Sequence, residues 1–245
     1  MLPLPLPLLA LLVTQAGCGL PALAADRPFQ PGETLRYDVT WNGLRAGETT
    51  LSLGAGGAGG LQASLEAHQT RLGANRFAAW AWMSGATLRP GPFSDAQEGW
   101  GGRRTTTSHL DGSPNVVRVD WRIGEKVGVN AYRRRPEVLD FASAIPYLRA
   151  AVLAPGDGFC FDVVGATQHW TVEGTVGAAE PVATGAGHYQ ALRLSGSMRR
   201  SDGQGGAVPL RLWIGTGAGR LPVAAEVDSP LGRLRAELVA VSGRG

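Results

Sequence analysis

The chain has 245 residues, 44% of them hydrophobic and 18% charged, with 36 Gly and seven Trp. Such a composition is too apolar for a disordered chain and describes strands and Gly turns around a core. The net charge is +3, and the one dense basic run, Arg133-Arg134-Arg135, stops at Pro136 and reads as a solvated loop. This is not the basic face with interleaved aromatics of a nucleic-acid binder.

The first 25 residues carry no charged side chain. The apolar run Leu8 to Val13 precedes a small-x-small pattern, Ala22-Leu23-Ala24. Together they predict a signal peptide over 1–25, a single β-rich domain over 26–245, and export to the periplasm. Against this, no Lys or Arg precedes the apolar run, and Pro3, Pro5 and Pro7 interrupt the start of the chain. The run is shorter than the about 20 residues a bilayer requires, so no transmembrane span is expected. Cys18 follows Ala16-Gly17 and offers a minority reading, an outer-membrane lipoprotein, although Gln15 stands where such signals carry an aliphatic residue. Cleavage after Ala24 or Ala25 would leave only Cys160. It is then expected to be a buried thiol with no internal disulfide and no multi-cysteine zinc site.

The first strong pattern is Leu35, Tyr37, Val39 and Trp41 alternating with Arg36, Asp38, Thr40 and Asn42. A period of two places one side of a strand in a core. Asn42-Gly43 predicts a tight hairpin turn, since both residues accept positive φ. Leu51 and Leu53 mark the returning strand, and Gly54–Gly60 is a flexible loop. Leu61 to His68 is a third strand. Phe77 to Met83 is apolar on both faces, a strand or a short helix. Pro90-Gly91-Pro92 reads as a break. Arg103 to His109, Val116 to Ile123 and Val127 to Tyr132 form a meander with turns at Asp111-Gly112 and Gly124-Glu125-Lys126. Asp140 to Val152 is the one helix, with Asp140 as cap or, because Pro146 opposes an early start, with Ser143 as cap. Six further strands are expected: 159–164, 169–176, 189–195, 210–214, 223–228 and 234–241.

No catalytic motif emerges. His68, His109, His169 and His188 form no metal-binding spacing, and His169 is expected to face solvent. Neither a nucleophile elbow nor a phosphate loop is present. Cys160 and His169, nine residues apart across a hairpin, could in principle meet as a nucleophile–base pair, but activation needs a third orienting group and an oxyanion hole. Asp38 and Glu48, considered as a carboxylate pair, alternate with core residues and are expected to point to water. No metal, cofactor or catalytic residue is expected.

Three segments occur in order along the chain: Gly32-Glu33 through Tyr37, Trp41, Gly43 and Ala46-Gly47; Asp140 through Arg149; and Leu212-Trp-Ile-Gly-Thr-Gly-Ala-Gly-Arg-Leu-Pro-Val223, followed by Gly232 to Leu238. Together they resemble the bacterial family called domain of unknown function 3108. The third departs from the family pattern, with Gly217-Ala218-Gly219 where an acidic residue usually precedes the arginine. The resemblance implies an exported envelope protein, mainly β, built on a highly curved antiparallel sheet (a β-roll or open barrel) with one short helix near 140–152. It implies no activity.

A curved sheet that is not filled can hold an apolar ligand. The lining residues would be Tyr37, Trp41, Phe77, Trp80, Trp82, Trp121 and Trp213. Arg149 and Arg220 could meet an anionic headgroup, or pair with a structural acid such as Asp140. The expected function is therefore a non-catalytic module that binds a lipid-like envelope ligand or an envelope protein. An envelope hydrolase acting on glycan or lipid and a purely structural scaffold are the competing readings. Whether the sheet is hollow or packed decides among them.

Overall fold

The computed structural model describes residues 19–70, 75–99, 102–113, 115–135 and 138–243. Cys18 and most of the expected signal peptide lie outside the described residues. The opening hairpin forms as its alternation predicts, with β1 at Thr34–Trp41 and β2 at Leu44–Ala55. Asn42 and Gly43 between them have φ of 48° and 80°, the left-handed pair that matches a hairpin turn to the twist of its strands.

The chain continues through β3 (Leu61–Gln69), β4 (Asn75–Met83), β5 (Pro90–Gly99), β6 (Gly102–Ser113), β7 (Val116–Ile123) and β8 (Lys126–Arg133). Beyond β9 (Val138–Asp140) and α1 (Ala144–Ala150) come β10 (Gly158–Gly165), β11 (Gln168–Thr184), β12 (Gly187–Arg200), β13 (Val208–Gly215), β14 (Pro222–Ser229) and β15 (Gly232–Ser242). Among the described residues all fifteen strands belong to one sheet, which runs from β8 back to β1, crosses to β15, and returns to β9. Neighbours pair antiparallel except β9 with β10, which are parallel.

The sheet is mainly antiparallel, strongly curved and not closed by strand pairing. Its two wings face each other, with β9 against β5 and β10 against β6. Side chains stitch the seam. The Ala166 N–H donates to Asp95 Oδ2 at 2.8 Å, the Arg135 N–H donates to Asp162 Oδ2 at 3.1 Å, and the Tyr132 hydroxyl donates to the Thr167 carbonyl.

The space between the wings is packed. Tyr147, Leu148 and Ala150 of α1 share one buried cluster with Leu53, Met83 and Val119 of one wing and Phe161, Leu194 and Ile214 of the other. Leu20 and Leu23 pack against the same cluster, and residues 22–24 are hydrogen-bonded alongside the end of α1 (Ala24 N–H to Ala150 O, 2.8 Å; Val152 N–H to Ala22 O, 2.7 Å). A second cluster joins Leu35, Tyr37, Leu51 and Leu238 to Val182, Ala191 and Trp213. It forms where the tip of the β11–β12 hairpin reaches β15, Ala186 N–H donating to Leu238 O at 3.0 Å.

Several local expectations change. Phe77–Met83 is a strand, since it has ladder partners on both sides. Pro90-Gly91-Pro92 opens β5 instead of breaking the chain. Proline is tolerated at a strand start beside an irregular register, and the β4–β5 register shifts between Ala81 and Met83. Asp111-Gly112 stays within β6, and the turn falls after Ser113.

The helix follows the later of the two predicted starts. It begins at Ala144, which puts Pro146 in the first turn, where its missing N–H has no intrahelical partner to lose. Asp140 caps the turn before the helix, its Oδ1 accepting from the Ala142 and Ser143 N–H groups at 2.7 and 3.2 Å. Burial pushes the Asp140 carboxyl up from 3.8 to about 6, although Ser143 and these N–H groups oppose the shift. An acid whose folded pKa is raised holds its proton more tightly when folded. Stability should therefore fall as pH rises from 3.8 to about 6 and be level above that. Urea unfolding across this range should show that slope, and Asp140→Asn should reduce it.

Candidate functional site

The three sequence segments that stand out most meet at one buried point. Glu33 enters β1, Arg149 ends α1, and Gly219-Arg220 turns between β13 and β14. The Arg149 guanidinium is wholly buried and forms a two-pronged contact with the Glu33 carboxylate through Nη1 and Nη2. Nη2 also donates to Gly219 O at 2.9 Å and Nε to Arg220 O at 3.2 Å. The Phe29 ring lies 5.2 Å from its central carbon. The acid that pairs with Arg149 is therefore Glu33, not Asp140. Arg220 has φ of 39°, and burial lowers its guanidinium pKa, with Asp26 opposing and Arg149 adding to the shift. Tyr37 is buried beside this pair. Burial drives its phenol pKa up, with Arg149 opposing, and its hydroxyl has no hydrogen-bond partner among the described residues. The geometry is that of a tie between three parts of the fold, with the arginine fork turned toward protein acceptors.

A second polar group lies on the seam between the wings. Asp95 is buried, and its Oδ2 accepts from the Thr106 hydroxyl and the Ala166 N–H. Burial raises its pKa, while Thr106 and Ala166 oppose that. Its Oδ1 and the buried Ser108 hydroxyl have no hydrogen-bond partner among the described residues. The turn held by Asp95 has Ala166 at φ 49° and Thr167 at φ 65°, a strained conformation for a β-branched residue.

His169 follows that turn and is 5% exposed, not solvent-facing. The enclosing wings cover its strand face, with Tyr132 edge-on at 5.9 Å between ring centroids. Its Nε2 lies 3.0 Å from Asp162 Oδ2. Burial pushes Asp162 up, but His169, the Arg135 N–H and Thr171 outweigh it and hold the carboxyl below its usual value. In the full chain Cys160 is disulfide-bonded and offers His169 no thiolate; the lone thiol is expected of a chain cleaved after Ala24 or Ala25. Among the described residues, no group of three or more His, Cys, Asp or Glu is placed to hold a metal.

The remaining aromatics are dispersed. Trp213 is buried in the Tyr37 cluster and donates to Glu180 at 2.7 Å, with Arg235 over its ring at 5.3 Å. Trp41 donates to Leu231 O at 3.0 Å. Phe77 meets Phe141 edge-on at 5.9 Å. Trp80 is half-buried, and Trp82 is half-exposed on the opposite face of β4 from Ala79 and Ala81. Trp121 lies over Gly128, donates to Asn130 Oδ1 at 3.3 Å, and borders a surface groove of about 400 Å³ with Thr105, Thr107, Arg118 and Val129. The structure thus gathers Tyr37, Arg149 and Arg220 and seats Trp213 in the same cluster as Tyr37, but leaves Trp41, Trp80, Trp82 and Trp121 apart. Asp38 and Glu48 lie at the surface, both contacting Arg45.

Sequence reasoning passed over Glu33 and Asp95. Glu33 was visible as the acid leading into the first apolar alternation. Asp95 falls in register with Phe93, a polar residue at a core position.

No match is found among curated proteins. Among solved structures, the chain resembles a β-barrel-like protein of domain of unknown function DUF1849 from Brucella abortus, with a TM-score of 0.60 and 10% identity over 86% of this chain and 96% of that one. That likeness concerns the fold alone. Weaker similarities, with TM-scores of 0.36 and 0.32, reach a Bacteroides fragilis protein described as exported with a YmcC-like fold and a Parabacteroides distasonis protein described as a lipoprotein. They have 13% and 11% identity, covering 92% and 87% of this chain and 100% and 96% of theirs. The sequence model of the family described as "Protein of unknown function (DUF3108)" matches residues 36–239, and the chain belongs to that family.

Proposed function

We propose that this protein is an exported, non-catalytic envelope module that binds a partner protein through the outside of its sheet. The observation that carries this reading is the filled interior. Side chains of α1 and both wings occupy the concavity in which an amphipathic ligand would otherwise sit. The polar groups near that interior serve the fold: Arg149 ties three segments together, and Asp95 holds the seam turn. What remains available for recognition is the surface, where Trp82, Val127 and Val129 are more than 45% exposed (50%, 62% and 56%). Periplasmic localisation rests on the leader pattern of residues 1–25.

The test is photocrosslinking in the native envelope from single positions spread over the surface, with Leu44, Trp82, Val127, Val129 and Leu234 each replaced in turn by a photoreactive residue. Discrete protein adducts from a subset of positions are the expected result. Adducts from none of them would sink the reading. So would stoichiometric lipid carried by the native protein in mass spectrometry, which would return the interior as the site.

A further inference from the structure

The two edges of the sheet are treated very differently. One edge is β9, three residues long and buried throughout, with Val138, Leu139 and Asp140 at 3% exposure or less. Short length and cover are standard ways of preventing an edge from recruiting another strand. The other edge is β8. It has eight residues, and its register with β7 runs from Val116↔Arg133 to Ile123↔Lys126 without a shift. Among the described residues no strand pairs with its far side. Its central stretch, Val127-Gly-Val-Asn-Ala131, contains no charge, proline or bulge, and Val127 and Val129 project from one exposed face. A regular, apolar, open edge strand is a template for strand addition.

The charges around β8 restrict what can be added. Between Gly102 and Arg135 the chain carries eight Arg or Lys against three Asp or Glu, a net +5 in a chain whose total is +3. Lys126 opens β8, and Arg133 closes it. A second copy would bring two such regions of like net charge together. Potentials of the same sign across an interface oppose association, so a second copy is a poor occupant.

We infer that β8 is a docking edge for an extended segment of another protein, with alternating apolar residues at its centre and acidic residues at both ends. Apolar side chains of that segment would lie beside Val127 and Val129, its acids would meet Lys126 and Arg133, and its backbone would continue the β7–β8 ladder. This rests on the partner-binding reading above and assigns it a surface and a partner chemistry.

The probe is a fluorescein-labelled peptide of about ten residues, alternating Val and Thr, with two Glu at each end, compared with a version carrying Lys at each end. With the full-length protein, anisotropy should show saturable binding of the Glu-flanked peptide, about ten-fold or more tighter than the Lys-flanked one. Val129→Lys, at an exposed position, should weaken it about ten-fold and leave thermal unfolding unchanged. The double variant Lys126→Glu/Arg133→Glu should reverse the peptide preference. Absence of saturable binding, or equal affinity in the wild type and Val129→Lys, overturns the assignment. In the native envelope, adducts from Leu44, Trp82 or Leu234 but none from Val127 or Val129 would remove the β8 edge and leave the module reading standing. Adducts from no position would remove both.

Discussion

Arg149→Ala is expected to be the most damaging single substitution, costing about 3–5 kcal/mol. That is the usual effect of removing one partner from a buried ion pair and leaving the other charge uncompensated. Glu33 is 1% exposed and cannot regain solvent without moving the start of β1. The carbonyls of Gly219 and Arg220 lose the Arg149 N–H groups in the same step. Against a total stability of about 5–15 kcal/mol for a typical domain, such a loss is severe. Replacing both partners by apolar residues, Glu33→Leu/Arg149→Met, should cost less than Arg149→Ala alone, because no charge is stranded. Urea unfolding of the three proteins measures the comparison. If the double variant is the less stable, the pair is not the tie described.

Gly174→Val should be the second largest, at about 3 kcal/mol, the upper end of the usual overpacking cost. Gly174 and Gly196 stand opposite each other on β11 and β12, and the backbones approach too closely there for a side chain. A Cβ on Gly174 would lie 2.6 Å from the Phe159 ring and in collision with the Ser195 carbonyl. The loss corresponds to a melting point lower by about 6–12 °C for a domain of this size. Gly206→Ala, where nothing lies within 4 Å, is the control and should be nearly silent. Equal melting points for the two variants would show that the close approach is not needed.

The strands were legible because each pairs with its sequence neighbour, so local alternation and local turns contain most of the information. Asn42-Gly43 is the clearest case, a turn and a register both set by two residues. What was not legible depends on contacts between distant segments. His169 looked solvent-facing because its strand pattern says nothing of the wing that folds over it. Arg149 could be seen to need an acid, but its partner lies at the other end of the chain, and Asp140 is only nearer in sequence. The packed interior was undecidable for the same reason. Whether a curved sheet is hollow depends on where α1 lies, and no residue pattern within the strands reports that. The open edge at β8 was likewise hidden, since its alternation does not tell an edge strand from an interior one.

The pairing of β1 with β15 bears on the order of assembly. Every other antiparallel ladder in the sheet joins strands adjacent in sequence, whereas Thr34 pairs with Ser242 and Trp41 with Leu234. Hairpins can form on microsecond timescales from local chain alone, but a ladder whose partners are about two hundred residues apart bears the full loop-closure entropy. The first strand must therefore wait for the last. Until β15 is available, the edge of β1 that faces away from β2 is unsatisfied. A chain of this fold that still lacks its last strand is a half-sheet with an open seam, a state in which chaperones would have something to hold.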